Sequence, residues 1–431
     1  MINLNYIKWI LVFLIFLIVC ITFSLLFVEK DQIEKEKSPQ INEYLSGEST
    51  LSSGVGIAFH FTGKPIDISM MKEAGIKVAR TDLLWSEVEK KKGKYKYKQY
   101  DELTQGLIES GIKPYYILNY SNRIYEENFS IVTGQGQKAF VNYVDNVTYR
   151  YKNKGIIWEI WNEPNNLKYW DTRPNYDDYA LLVEKTSKVI RKNDPSGIVV
   201  APALAGLNDN SLKWLEEVLK RGILDNIDAI SVHPYRSYLP ETVIQDYKQL
   251  RELLTKYGKK DLPIITGEWG YPSEVQWDGI KLSQKQQAQY LVRTYLINTY
   301  QKIPISIWYD WKNDGDNLSE IEHNFGIRGY DVLQSKESYT ALKSMTKLLQ
   351  GYMFSKRIDV GNPNDFVLEF LNSDGKKIIV FWTTDIDHRI KLLGSGQGNI
   401  IFMYGDYLGT FQLSQYSSFD ITASPRYLVF N

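Results

Sequence analysis

The sequence predicts an α/β protein built on a (β/α)8 TIM barrel, with a small C-terminal β-sandwich and one N-terminal transmembrane helix. Three observations predict the barrel. Short apolar runs of strand type recur from Val55 onward, stretches with apolar residues at helical spacing lie between most of them, and eight such units fit within about 300 residues. Strand–helix alternation implies parallel strands, for which an open doubly wound sheet is the rival arrangement. No glycine-rich phosphate turn follows the first run, where His60-Phe61-Thr62-Gly63 stands instead.

In chain order the strand candidates are 55–59, 76–80, 113–118, 156–161, 198–201, 227–232, 262–266 and 303–308. Helical candidates cover 67–74, 99–111, 135–153, 176–193, 210–221, 241–258 and 283–301, with Ser211 and Ser283 as N-cap candidates. Past about residue 350 the pattern turns to short strands. Runs at 366–370 and 377–382 flank Asn372-Ser373-Asp374-Gly375, a hairpin signal, and further strands are expected at 390–393, 400–404 and 427–430. The division is therefore a barrel over 51–350 and a supporting β-sandwich over 351–431. Gly394, Gly396 and Gly398 fall in this strand-rich stretch and read as a turn rather than a phosphate cradle.

Ahead of the barrel, residues 9–28 are almost unbroken apolar sequence, and a helix needs about 20 such residues to span a hydrocarbon core. Lys8 precedes the run and Glu29, Lys30 and Asp31 follow it. The expectation is a single-pass anchor within 1–28, with the N-terminus in the cytoplasm and the folded part outside. A cleaved signal peptide, giving a secreted protein, is the rival; Leu17-Ile18-Val19-Cys20 is a poor lipoprotein box because Val19 is bulky. Residues 29–50 read as a tether.

Composition excludes several classes. There are 51 basic and 51 acidic side chains, so nothing points to nucleic acid. Cys20 is the single cysteine, which rules out an intrachain disulfide or a cysteine zinc site. The four histidines form no HExxH, there is no Gly-x-Ser-x-Gly elbow, and Asp314-Gly315-Asp316-Asn317 lacks the full calcium-loop pattern. No metal or cofactor is expected, and a monomer is. Aromatic residues reach 14%, which suits either sugar stacking or a large core.

Two glutamates carry the chemistry. Glu163 lies in Ile160-Trp161-Asn162-Glu163-Pro164-Asn165 after the fourth run, and Glu268 in Ile265-Thr266-Gly267-Glu268-Trp269-Gly270 after the seventh. In a (β/α)8 barrel the C-terminal strand ends form the site, and the fourth and seventh strands face one another across the opening. Glycoside hydrolysis needs two carboxyl groups so disposed. Asn162 can offer an amide to a substrate hydroxyl, and Pro164 stiffens the turn that aims Glu163.

The string Trp158-Glu159-Ile160-Trp161-Asn162-Glu163-Pro164-Asn165 resembles clan A glycoside hydrolases, and among them family 39. That likeness implies Glu163 as general acid/base and Glu268 as nucleophile. Arg80 matches the arginine that supports the nucleophile, and Ser231-Val232-His233-Pro234-Tyr235 places His233 against the carboxyls and Tyr235 as a donor to Glu268. His60 and Trp308, ending the first and eighth strands, are candidates to contact the sugar, with Trp308 as a platform. Trp85, Tyr120, Trp170, Trp269 and Trp311 are further stacking candidates, and Asp310 and Asp314 candidate hydroxyl ligands. The expected activity is retaining hydrolysis of a β-linked poly- or oligosaccharide, an exopolysaccharide among the candidates. A transglycosidase with the same residues and a catalytically silent carbohydrate-binding protein are the alternatives.

Overall fold

The computed structural model describes residues 44–45, 51–60, 64–172, 176–415 and 417–431. The apolar run at 9–28 lies outside these residues, as does most of the expected tether. Among the described residues no helix is long and apolar enough to cross a membrane. Tyr44 and Leu45, read from sequence as tether, belong to the folded unit: Leu45 is buried, and the Lys113 ammonium lies 4.0 Å from the Tyr44 ring centroid.

Eight parallel strands close in chain order. They are β1 (Val55–Ala58), β2 (Val78–Leu84), β3 (Lys113–Asn119), β4 (Ile157–Ile160), β5 (Ile198–Ala205), β6 (Ala229–His233), β7 (Ile264–Trp269) and β8 (Ser306–Trp308). β1 pairs with both β2 and β8, which excludes the doubly wound sheet. The barrel helices are α1 (Pro65–Glu73), α2 (Lys98–Glu109), α3 (Gly134–Arg150), α4 (Tyr176–Asn193), α5 (Asp209–Leu219), α6 (Val243–Lys256), α7 (Gln284–Tyr300) and α8 (Glu337–Leu348). Their inner stripes follow helical spacing; α3 buries Phe140, Tyr143, Val144 and Val147.

Three sequence expectations need correction. Asn208, not Ser211, caps α5: its side chain accepts from the Asn210 and Ser211 amides, while the Ser211 hydroxyl donates to Ala205 O at 2.6 Å from inside the first turn. Ser283 does cap α7, in a reciprocal box with Gln286. α8 was not expected. β2 runs on past Arg80 because an apolar-run criterion stops at polar residues such as Thr81 and Asp82, and β5 continues through Pro202, a residue that normally ends a strand, to Ala205.

After α8 come eight antiparallel strands. Six form one sheet in the order β14 (Tyr407–Leu413), β13 (Gly396–Phe402), β16 (Arg426–Phe430), β11 (Lys377–Thr383), β10 (Asp365–Leu371) and β9 (Met353–Arg357), and β12 (His388–Lys391) and β15 (Ser418–Ile421) form a second, small layer. β10 (Asp365–Leu371) and β11 (Lys377–Thr383) are the expected hairpin, with Gly375 at φ 75° in its turn. Both alternate cleanly. Phe366, Leu368 and Phe370 with Ile378, Val380 and Trp382 join the barrel's core, while Val367, Ile379 and Phe381 meet Ile390, Phe419 and Ile421 of the small layer. β9 (Met353–Arg357), β14 (Tyr407–Leu413) and β15 escaped the sequence reading because their burial is shallow or irregular. Gly396 and Gly398 lie within β13 (Gly396–Phe402) and not in a turn; a Cβ on Gly398 would sit 1.9 Å from Val429 O.

A buried ionic contact ties this sheet to the barrel. Arg293 of α7 grips Glu241 with two bonds of 2.7 and 2.6 Å, and the Trp382 indole donates to the same carboxylate at 2.7 Å. Arg293 is 1% exposed and Trp382 0%. Removing Glu241 leaves a buried guanidinium uncompensated, which typically costs about 3–5 kcal/mol. Glu241→Ala is expected to lower the midpoint of thermal unfolding by several degrees, and Trp382→Phe by less; equal midpoints for Glu241→Ala and wild type would contradict this account of the seam.

Candidate active site

Arg80 organises the mouth of the barrel. It lies in β2, is 2% exposed, and spends its fork on side chains from β4, β6, β7 and the loop after β4, reaching past the strands that flank β2. Nε donates to Glu159 Oε2 at 2.8 Å, Nη1 to Glu268 Oε2 at 2.7 Å, and Nη2 to Asn162 Oδ1 at 3.0 Å and His233 Nε2 at 3.2 Å. Glu159 is fully buried in β4 and also accepts from the Tyr115 hydroxyl at 2.8 Å. Paired carboxylates with a bidentate guanidinium are the form in which such charges survive burial.

The two glutamates meet in different surroundings. Glu268 Oε2 takes the Arg80 bond and Oε1 accepts from the Tyr235 hydroxyl at 2.9 Å. Glu163 is 8% exposed; Oε1 faces His233 Nδ1 at 2.9 Å and Oε2 accepts from Asn166 Nδ2 at 3.0 Å. Burial pushes the Glu163 carboxyl above its ordinary pKa, against the opposing pull of the Asn166 bond and the Arg80 charge. Burial also lowers His233 to about 4, so the ring is neutral near pH 7. Its tautomer follows from its partners. Arg80 can only donate, so Nε2 accepts, and Nδ1–H donates to Glu163. With both ring nitrogens so engaged, His233 has no lone pair left for a metal. One donor atom from each of Glu163, His233 and Glu268 lies within 4.8 Å of the others.

Backbone geometry serves this convergence. Trp161 and Glu163 adopt φ of 68° and 48°, and the Glu163 amide donates at 3.1 Å to the carbonyl of Ala203, itself at φ 54°. Residues held in this sparsely populated region persist where surrounding structure over-determines them. A register irregularity in β7 between Thr266 and Trp269 accompanies the placement of Glu268 at the rim. Gly267 precedes it, where a Cβ would lie 2.2 Å from Ser231 Oγ and 3.2 Å from both Glu159 Oε1 and His233 Nε2.

A cavity of about 340 Å³ opens beside these groups, with Arg80, Asn162 and Glu268 on one wall and His60, Tyr120 and Tyr309 among its other lining residues. Its sides include Asp82, Lys168, Tyr169, Asp314 and Glu322. Tyr120 stacks on Tyr169 at 5.8 Å and accepts from Asn162 Nδ2 at 3.0 Å. Of the residues singled out from sequence, Glu163, Glu268, Arg80, Asn162, His233 and Tyr235 form one hydrogen-bonded cluster, and His60 and Asp314 line the cavity. Trp308 does not: it is 1% exposed and packs at 6.1 Å against Tyr271, while its neighbour Tyr309 takes the wall. Trp85, Trp170, Trp269 and Trp311 are core residues as well, each 0% exposed.

Glu159, Asn166, Tyr169 and Tyr309 were missed. Glu159 had a readable signal, since a charge inside the run Ile156-Ile157-Trp158-Glu159-Ile160-Trp161 needs a buried counter-charge. The other three sit in loops, where sequence alone does not say which way a side chain points.

Comparison with known proteins bears on this geometry. The profile of the cellulase (glycosyl hydrolase family 5) family matches residues 52–315. A β-xylosidase of Geobacillus stearothermophilus is 26% identical over 134 residues, a match that spans 26% of this chain and 25% of that protein. A family 39 glycoside hydrolase from Bacteroides cellulosilyticus superposes with a TM-score of 0.75 at 25% identity, over 88% of this chain and 82% of that one. A monomeric β-xylosidase from Caulobacter crescentus shares the fold, with a TM-score of 0.63 at 14% identity over 89% and 97% of the two chains. The chain belongs to the cellulase (glycosyl hydrolase family 5) family as that profile delimits it, a clan A glycoside hydrolase whose likeness within the clan is to family 39.

Proposed function

We propose that the protein is a retaining O-glycoside hydrolase acting on a β-linked poly- or oligosaccharide, with Glu163 as general acid/base and Glu268 as nucleophile. The observation that carries this reading is the closeness of two carboxyl groups in unlike environments, with donor oxygens no more than 4.8 Å apart. Retaining enzymes hold their carboxyls about 5–5.5 Å apart, whereas inverting ones need about 6.5–9.5 Å to admit a water. The family 39 likeness supports the same assignment.

In the first step a Glu268 oxygen attacks the anomeric carbon. Glu163, whose burial favours the protonated form, gives its proton to the glycosidic oxygen, and the carbon–oxygen bond to the leaving group breaks. In the second, the Glu163 carboxylate takes a proton from water, whose oxygen attacks the same carbon and frees Glu268. Arg80 and Tyr235 address the nucleophile's two oxygens and fix its direction before reaction. His60, Asn162 and Tyr120 are placed to meet sugar hydroxyls. The apolar run at 9–28 leads us to propose a membrane-tethered enzyme facing outward, acting alone on a polymer that the cell itself exports.

Glu163→Ala and Glu268→Ala are each expected to lower kcat/KM by about 10²–10⁴-fold or more. An aryl glycoside with a good leaving group should restore the glycosylation step in Glu163→Ala only, and NMR of the first-released sugar should find the anomeric configuration retained. Inversion, or unimpaired turnover in either variant, rejects the mechanism. The pH profile gives a second check. The acid works below the Glu163 pKa, so kcat/KM should fall as pH rises through it. Asn166 donates to that carboxylate and so lowers its pKa; Asn166→Ala should move the alkaline limb to higher pH, and a limb that stays or moves down counts against Glu163 as the acid. Finally, cell fractionation should find activity with membranes; activity confined to culture fluid would remove the anchor.

A further inference from the structure

We propose that His60, Asp310 and Asp314 form a binding site for a divalent transition ion, zinc or manganese, at the rim of the cavity. The three come from two segments held side by side. His60 follows β1, and Asp310 and Asp314 follow β8, whose loop is tied back by Trp311 N donating to Ala58 O at 2.9 Å and Ile327 N to Asp310 O at 3.0 Å. One donor atom from each side chain lies within 4.8 Å of the other two.

Asp310 is the informative member. It is 1% exposed, yet its Oδ1 has no hydrogen-bond partner. A buried carboxyl oxygen without a partner is costly, and such groups are normally paired or coordinate a metal. The cations nearby are committed elsewhere. His60 Nδ1 is bonded to Asp314 Oδ1 at 2.5 Å, and the Lys336 ammonium donates to Asn324 O at 3.1 Å. An ion bound among the three would give Asp310 Oδ1 the partner it lacks and take the place of the proton that His60 shares with Asp314. An imidazole nitrogen with two carboxylates suits zinc or manganese; calcium prefers a set made wholly of oxygen. His60 and Asp314 both line the cavity, so the ion's remaining positions face the space that a ligand hydroxyl would enter. This site does not depend on the roles proposed for Glu163 and Glu268.

The test is calorimetric titration of the chelator-stripped full chain in detergent with zinc, manganese and calcium chlorides, with metal content and melting temperature measured in parallel. Zinc or manganese should bind at one ion per chain and raise the melting temperature. His60→Gln and Asp314→Asn alter partly exposed side chains, and each should weaken binding by about tenfold or more; Glu268→Gln should leave it unchanged. Absence of stoichiometric binding to the unaltered chain, binding of calcium alone, or binding that survives both rim variants overturns the proposal. So does binding lost in Glu268→Gln but kept in Asp314→Asn, which would place the ion on the catalytic carboxyls.

Discussion

One guanidinium holds the mouth of this barrel together. Arg80 is out of water and bonded to side chains from β4, β6, β7 and the loop that follows β4. Burying a charge this deeply is unfavourable unless every donor is met. Here Glu159 and Glu268 supply opposite charge, and Asn162 and His233 supply neutral acceptors. The positions of the strand ends, and hence of both rim carboxyls, depend on that fork remaining satisfied.

The same constraint separates the surroundings of the two glutamates. Glu268 receives the cation and a phenol; Glu163, on the far side of His233, receives an imidazole N–H and an amide and is the more buried of the two. Close approach is possible because Gly267 contributes no side chain to the crowded centre and because Trp161, Glu163 and Ala203 accept left-handed backbone. The barrel beneath supplies stiffness, and the C-terminal sheet shares its core through Trp382 and the Arg293–Glu241 pair.

Much of this was legible in the sequence, for physical reasons. Strands buried on both faces read as continuous apolar runs, so β1 to β8 were found, with errors where polar strand ends such as Asp82 carry the site. The glutamates were legible because each lies at or just past the C-terminal end of a strand, where the fold makes direction predictable, and Arg80, His233 and Tyr235 through the resemblance of their segments to clan A glycoside hydrolases. Trp308 shows the limit of that reasoning: a strand-end position did not tell which of Trp308 and Tyr309 would face the opening, and the larger ring went into the core. Asn166 and Tyr169 lie in a loop whose path the sequence does not encode in any simple period. β14 is mostly exposed and so lacks an apolar signature, whereas α8, which buries Tyr339, Ala341, Leu342 and Met345, carries a helical stripe as clear as that of α3 and was legible though not recognised.

Arg80 also sets the sense of the contacts that radiate from it. Because a guanidinium has no acceptor, Asn162 must present its oxygen inward and its NH2 to Tyr120. Tyr120, already receiving, must point its own hydrogen elsewhere. Orientation is thus handed outward in one direction, from a sealed cation through an amide to a phenol at the cavity wall. A visiting molecule meets a surface whose give and take were settled several bonds away, and at that point the Tyr120 hydroxyl hydrogen is turned outward, towards a lone pair on the ligand.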